Sequence, residues 1–114
     1  MLGRTNAVTV WARSRPTDLR LGFRGLAGLV QSEFHRNLQG GDLFLFVNAR
    51  RTSAKVLLWD GSGLCIYAKR LSSGRFAALW RGGGGGQPLR LDTTELNLFL
   101  ERATVHRAPS SRSK

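Results

Sequence analysis

The sequence has few cysteines, few acidic residues and no long apolar stretch. One cysteine, Cys65, among 114 residues excludes a disulfide framework and a zinc site built from several cysteines. No 18 apolar residues follow one another, and the first 13 residues lack the apolar core of a signal peptide. The sequence therefore predicts a cytoplasmic protein without a membrane-spanning segment and without a membrane partner.

The scarcity of carboxylates limits the metal chemistry that the chain could support. Metal-dependent phosphoryl transfer needs clustered acids, and most of the seven acids stand where helices or turns begin. A cluster of Asp18, Asp42 and Asp60 is the remaining alternative and would indicate a nuclease. His35 and His106 lie far apart in the sequence. We therefore predict no catalytic residue, no metal, no cofactor and no small-molecule substrate.

Positive charge, in contrast, is abundant. The chain has 18 Lys and Arg residues, 15 of them Arg, and a net charge of +11 at pH 7. The net charge is +4 over residues 1–41, +5 over 42–81 and +2 over 82–114, so the folded body itself is basic. Because the guanidinium group binds phosphate with two parallel hydrogen bonds, nucleic acid is the favoured partner. An arginine content set by genome composition is the alternative.

The N-terminal half predicts one strand and one helix. Residues 7–13 are rich in β-branched and aromatic side chains, which favour a short strand. From Leu19 onward, apolar residues recur at steps of three and four, which predicts a helix with Thr17 or Asp18 as its N-cap. Residues 37–42 contain two glycines and are expected to end this helix.

The middle of the chain predicts a β-meander. Residues 43–47 are apolar on both faces, as in a central strand that is covered on both sides. Residues 55–59 and 63–70 flank the sequence DGSG, which is typical of a hairpin turn. After a further glycine turn, residues 75–80 are expected to form the fourth strand of this meander.

The C-terminal part predicts a flexible loop followed by a second helix. Residues 81–88 contain five consecutive glycines but lack the lysine and hydroxyl residue of a phosphate-binding P-loop. Residues 91–103 then predict a helix with Asp92 or Thr93 as its N-cap. Residues 1–106 are thus expected to form a single α+β domain. It would be an antiparallel sheet of four to five strands with two helices packed against it, followed by a disordered basic tail, residues 107–114.

Five cations lie near the predicted strand ends. In an up-and-down meander, the turns at residues 48–54 and 71–74 lie at the same edge of the sheet. The strand-end loops are therefore expected to bring these side chains into one basic stripe that binds phosphates: Arg50, Arg51, Lys69, Arg70 and Arg75. A solvated loop edge without a partner is the alternative. Trp59 and Tyr67 are candidates for stacking on bases, although packing in the core is the simpler role for both.

The order of these motifs resembles a known family. The segments PTDLRLGFRGLAGLV (16–30) and GDLFLFVNARRTSAKVLLWDGSGLCIYAKRLSSGRF (41–76) are similar to the small accessory protein of insertion sequence sixty-six type mobile elements. That protein is the product of the second reading frame and is often labelled TnpB. The match is looser over 91–103, and Ala77–Trp80 lacks the Trp-Pro pair of the family. The resemblance implies a role in transposition beside a separate transposase.

Charge and resemblance together predict a non-enzymatic accessory factor of DNA transposition. It would bind DNA, at element ends or at the target, and the transposase of the same element, in the nucleoid of a bacterial cytoplasm. Arg20 and Lys55 match the family motifs and join the five stripe residues as predicted nucleic-acid-binding residues. A protein-only adaptor that binds the transposase without contacting DNA is the main alternative. RNA binding and a cryptic nuclease also stay open.

Overall fold

The computed structural model describes residues 8–80 and 86–101. Most of the predicted glycine loop, residues 81–85, lies outside the described residues, as do the domain boundary at residue 106 and the predicted tail, residues 107–114. Within the described ranges, no helix has the length and apolar character needed to cross a bilayer.

The fold is an open five-stranded sheet with one helix on each face. The strands are β1 (Val10–Ala12), β2 (Leu43–Val47), β3 (Ser53–Trp59), β4 (Leu64–Arg70) and β5 (Leu89–Leu91), in the order β4-β3-β2-β1-β5. The helices are α1 (Phe23–Leu29), which continues into a π-helical turn (Val30–Phe34), and α2 (Thr93–Glu101). The predicted α+β class is confirmed. The sheet is mixed, because α1 crosses over between β1 and β2 and makes that pair parallel, whereas the other three pairs are antiparallel.

The apolar side chains of β2 explain its central position. Phe44 and Phe46 lie on the face covered by α1, and Leu45 and Val47 lie on the face covered by α2 and residues 76–79. All four side chains are fully buried, which contributes about 1.5–3 kcal/mol each. The prediction of a central strand that is covered on both sides is therefore confirmed.

The predicted fourth strand of the meander is wrong. Residues 75–80 do not extend the sheet beyond β4 but cross to the α2 face. There Phe76 is fully buried and stacks on Phe99 with ring centroids 5.1 Å apart, and Leu79 is buried in the same cluster. Burial of two large apolar side chains outweighs pairing with β4. The fifth strand is β5, which pairs with β1 at the opposite side of the sheet.

The first helix begins later than its apolar spacing predicts. It starts at Phe23 with Gly22 at the N-cap position, rather than near Leu19 with a Thr17 or Asp18 cap. The carboxylate of Asp18 accepts instead from the backbone N–H of the residue two positions later, an Asx-type turn that precedes the helix.

Contacts with the sheet explain this delay. The Lys55 ammonium donates to the carbonyl oxygens of Leu19 (2.8 Å) and Leu21 (3.1 Å), and the Thr17 N–H donates to the carbonyl oxygen of Val47 (2.9 Å). A helix would direct the two leucine carbonyls along its axis toward residues four positions on. Because Lys55 holds these carbonyls over the sheet, residues 18–21 form a separate turn instead of the first turn of the helix.

A histidine follows the first helical segment, and an acidic capping box begins α2. The first helical segment ends at Phe34 and is followed by His35 in the left-handed region (φ 53°), which is earlier than the predicted glycine C-cap. At α2, the Glu95 N–H donates to the Asp92 carboxylate at 2.7 Å, and the Asp92 N–H donates to the Glu95 carboxylate at 2.8 Å. This reciprocal capping box makes Asp92 the N-cap, one of the two residues that the sequence predicted for it, the other being Thr93.

An ion pair joins the end of β1 to the π-helical turn. Arg13 Nε and Nη2 donate to the two carboxylate oxygens of Glu33 at 2.9 and 2.7 Å, and Nη1 donates to the Pro16 carbonyl at 3.0 Å. The Arg13 side chain is 13% exposed and that of Glu33 is 32% exposed, so solvent screens this pair only in part. The hydrogen bonds from Arg13 hold the pKa of Glu33 below its usual value of 4.5.

Glu33→Gln is expected to lower the free energy of unfolding at pH 7 by about 1 kcal/mol, because one charge-assisted hydrogen bond is lost. A pKa that is lowered in the folded state gives stability that is present above the unfolded value and lost as the pH falls through the folded value. The free energy of unfolding, measured with urea, should therefore fall more for the wild type than for Glu33→Gln below about pH 4.5. Glu101→Gln, the same charge change at an exposed position of α2, is the control. Parallel pH profiles for wild type and Glu33→Gln would contradict the assignment.

Lys55→Met keeps the aliphatic stem and removes the ammonium group, which leaves two carbonyl oxygens without their donor. We expect a loss of about 1–3 kcal/mol in urea unfolding. Amide exchange should accelerate at Thr17 and Leu21, whose N–H groups are bonded within or beside the loop. The Asp60 amide, bonded to Gly63 in the β3–β4 turn, should be unchanged and serves as the internal control. Unchanged exchange at Leu21 would show that Lys55 does not hold the loop.

Candidate nucleic-acid interface

The two turns that carry or flank most of the predicted basic residues meet at one end of the sheet. The Leu71 N–H donates to the Thr52 carbonyl at 2.8 Å, and the Phe76 N–H donates to the Arg51 carbonyl at 2.7 Å. The β2–β3 turn and the segment after β4 are therefore joined by backbone hydrogen bonds. This is the juxtaposition that the meander predicts, although the second turn leads away from the sheet.

The side chains at this end nevertheless point to two faces. In the antiparallel β3–β4 pair, Lys69 lies opposite Ala54 and Arg70 lies opposite Ser53. Opposed residues share a face and successive residues alternate, so Lys69 is on the α2 side and Arg70 on the α1 side. The single stripe expected from the sequence is thus divided by the pleat of β4.

Three of the predicted cations are bonded to carbonyl oxygens of the chain itself. Arg51 Nη1 donates to the Phe76 carbonyl at 2.9 Å, and Lys69 Nζ donates to the Leu100 carbonyl at 2.8 Å, near the C-terminus of α2. Lys55 holds the loop before α1, as described above. All three side chains are partly buried in these contacts. Their immediate role in the free protein is to build the basic end of the sheet.

Three other predicted cations are exposed and converge. Arg20, Arg50 and Arg70 line a groove of about 1120 Å³ between the loop before α1 and the β2–β3 turn. They come from three segments that are far apart in the sequence, and we call this surface the arginine groove. Arg75 is also exposed but is not among the residues that line the groove. The arginine groove therefore gathers three of the seven predicted binding residues.

Asp18 brings one negative charge into the arginine groove. Its carboxylate accepts from Arg20 Nε at 3.0 Å and from Arg20 Nη2 at 2.8 Å. The side-chain hydrogen bond from Arg20 is the main reason that the pKa of Asp18 falls to about 2. Asp18 is therefore ionised at neutral pH, and the groove presents three guanidinium groups beside one carboxylate.

Asn48 shapes the turn that presents Arg50. Its side-chain oxygen accepts from the N–H groups of Thr52 (2.8 Å) and Ser53 (3.0 Å), while its amide nitrogen donates to the Thr52 hydroxyl at 3.1 Å. Sequence reasoning did not assign Asn48, although an asparagine at the start of a turn is a known signal for such backbone contacts. The role of Asp18 beside Arg20 was also missed, because the residue was interpreted as a helix cap.

The three acids of the alternative metal site do not meet. Asp42 accepts from the Trp11 indole N–H at 3.0 Å, and Asp60 lies in the β3–β4 turn, where it accepts from the Ser62 N–H at 2.8 Å. Asp18 lies in the arginine groove at the other end of β3. Within residues 8–80 and 86–101, no three His, Cys, Asp or Glu side chains group as metal ligands.

A second groove lies on the α2 side of the sheet. It has a volume of about 400 Å³ and lies between the strands β2–β4 and α2, with Leu58, Leu96 and Leu100 among the apolar residues that line it. Tyr67 also lines it and is 50% exposed, so this side chain is neither a core residue nor part of the arginine groove. We call this surface the apolar groove.

Comparison with known proteins identifies the family. The chain matches the family described as IS66 Orf2 like protein over residues 8–109. It is 40% identical over 100 residues to the uncharacterized protein y4hO of Sinorhizobium fredii, and the aligned region covers 88% of this chain and 84% of that protein. It is 34% identical over 76 residues to the uncharacterized protein y4jC of the same organism, and the aligned region covers 67% of this chain and 65% of that protein. No solved structure matches the chain significantly. The chain therefore belongs to the IS66 Orf2 like family, the accessory proteins of transposition that its two sequence motifs predicted.

Proposed function

We propose that the protein assists transposition by binding DNA in the arginine groove. The observation that carries this proposal is the convergence of Arg20, Arg50 and Arg70, all exposed, from three separate segments. Arg20 lies in the first sequence motif of the family, residues 16–30, and Arg50 and Arg70 lie in the second, residues 41–76, so the groove is where those motifs meet. Arg51 and Lys55 support the same end of the sheet from within.

Arginine chemistry supports phosphate as the ligand. A guanidinium group donates two parallel hydrogen bonds to a phosphate, and such charge-assisted bonds are roughly twice as strong as neutral ones. Three of these groups in one open groove suit a ligand that presents several phosphates along a line. The net charge of +11 adds long-range attraction to a polyanion. DNA is the polyanion that a transposition factor must meet at element ends or at the target.

The number of groove arginines predicts the salt dependence. Each phosphate contact on duplex DNA lowers the logarithm of the binding constant with a slope of about −0.9 against the logarithm of salt concentration. Three contacts therefore give a slope of about −2.7. The five-residue stripe expected from the sequence would give about −4.5. The slope thus counts how many cations reach phosphate.

A protein-only adaptor is the second candidate function, and the apolar groove favours it. Its apolar lining and the half-exposed Tyr67 suit a protein segment rather than a phosphate backbone. In this case the transposase of the same element would be the partner, and the basic end of the sheet would face an acidic surface of that enzyme. The two candidates differ in whether DNA binding persists at physiological salt.

Fluorescence anisotropy with an element-end duplex and a scrambled duplex tests the first candidate. Arg50→Ala/Arg70→Ala should weaken binding at least tenfold and reduce the salt slope by about 1.8, because two phosphate contacts are lost. Arg15→Ala/Arg90→Ala is the matched control, since it removes two exposed arginines that lie outside the arginine groove. Preference for the element end would add sequence recognition.

Equal weakening by the two double variants would show that net charge, rather than the arginine groove, attracts DNA. Absence of wild-type binding at physiological salt would favour the protein-only adaptor. Pull-down of the purified transposase by the wild type and by Tyr67→Ala would then test the apolar groove directly.

A further inference from the structure

We propose that the Asp18 carboxylate pairs with the Arg20 guanidinium group in the free protein and that a phosphate of the nucleic-acid backbone displaces it. Asp18 thereby limits the affinity of the arginine groove for nucleic acid. This inference depends on the proposed function and assigns a specific role within it to a residue that carries the wrong charge for the ligand. It also explains why an acid pairs with an arginine at a surface proposed to bind a polyanion.

The geometry of the pair supports an exchange of partners. Arg20 uses Nε and Nη2, the two donors on one side of the guanidinium group, to hold both oxygens of the Asp18 carboxylate at 3.0 and 2.8 Å. These are the donors that a phosphate would engage in the same bidentate manner. The carboxylate therefore occupies the position that two phosphate oxygens would take, and only one of the two anions can be bound there.

Exposure makes the exchange inexpensive. The Arg20 side chain is 91% exposed and that of Asp18 is 53% exposed, so water and salt screen the pair strongly. Ion pairs of this kind contribute little to stability, and the long Arg20 side chain is free to turn toward another anion. No buried charge is created when the pair opens.

The backbone keeps Asp18 in the groove after Arg20 leaves. The Leu21 N–H donates to the Asp18 carbonyl at 3.1 Å, and the Asp18 carboxylate also accepts from the Arg20 backbone N–H at 3.0 Å. These contacts involve the main chain and do not require the Arg20 side chain. Asp18 consequently continues to repel a bound phosphate, and its effect on affinity has two parts: competition for Arg20 and direct repulsion.

Asp18→Asn tests the inference. The amide keeps an oxygen that accepts from the Arg20 backbone N–H, so the loop before α1 should be retained, as circular dichroism and urea unfolding would verify. Affinity for duplex DNA in the anisotropy assay should rise about fivefold, the size expected when an exposed ion pair no longer competes. Asp60→Asn is the matched control. It makes the same charge change in the turn at the other end of β3, about 20 Å away for a strand of seven residues, which exceeds the screening length at 0.1 M salt.

Arg20→Ala separates the two parts of the effect. If Asp18 acts mainly through Arg20, then Asp18→Asn should change affinity by less than twofold when Arg20 is already alanine. A full fivefold gain in that background would overturn the exchange and leave only repulsion. Equal effects of Asp18→Asn and Asp60→Asn, or weaker binding by Asp18→Asn, would also overturn it while the proposed function stands. A wild type that fails to bind DNA would instead overturn the proposed function, and this inference with it.

Discussion

The contact between Lys55 and the loop before α1 determines the shape of the basic end of the molecule. One ammonium group on β3 holds the carbonyl oxygens of Leu19 and Leu21, and this contact keeps residues 18–21 in a turn over the sheet. Asp18 and Arg20 therefore lie beside the β2–β3 turn instead of on the first turn of a helix. Lys55, which the sequence predicted to bind nucleic acid, instead holds the loop that places Arg20 at the surface.

The strands β2, β3 and β4 and the helix α2 were predictable because their signals are local. The apolar run of β2, the DGSG hairpin and the capping box of α2 each depend on residues within about ten positions. The start of α1 and the course of residues 75–80 were not predictable in this way. The start of α1 depends on Lys55, more than 30 positions later, and the course of residues 75–80 depends on the contact of Phe76 with Phe99 in the core. Periodicity cannot report contacts between segments so far apart.

The candidate site was predictable as a region but not as a set of side chains. Strand ends placed most of the cations at one end of the sheet, as expected. Which cations are exposed depends on the pleat of β4, which sends Lys69 and Arg70 to opposite faces, and on carbonyl oxygens that Arg51 and Lys69 happen to reach. Those acceptors are main-chain atoms, which the identity of neighbouring residues does not reveal. The family motifs added Arg20, which composition alone would not have selected.

The crossover that makes β1 and β2 parallel has a consequence for how the protein folds. The β2–β3–β4 hairpins need only short loops to close. Pairing of β1 with β2 closes a loop of about 30 residues that contains α1, and pairing of β5 with β1 closes a loop of nearly 80 residues. Loops of this length slow the late steps of folding. Because the loop before α1 follows β1 and the β2–β3 turn belongs to the hairpins, the groove between them is complete only when β1 has joined the hairpins. A partly folded chain in which only β2, β3 and β4 have paired would thus lack this surface.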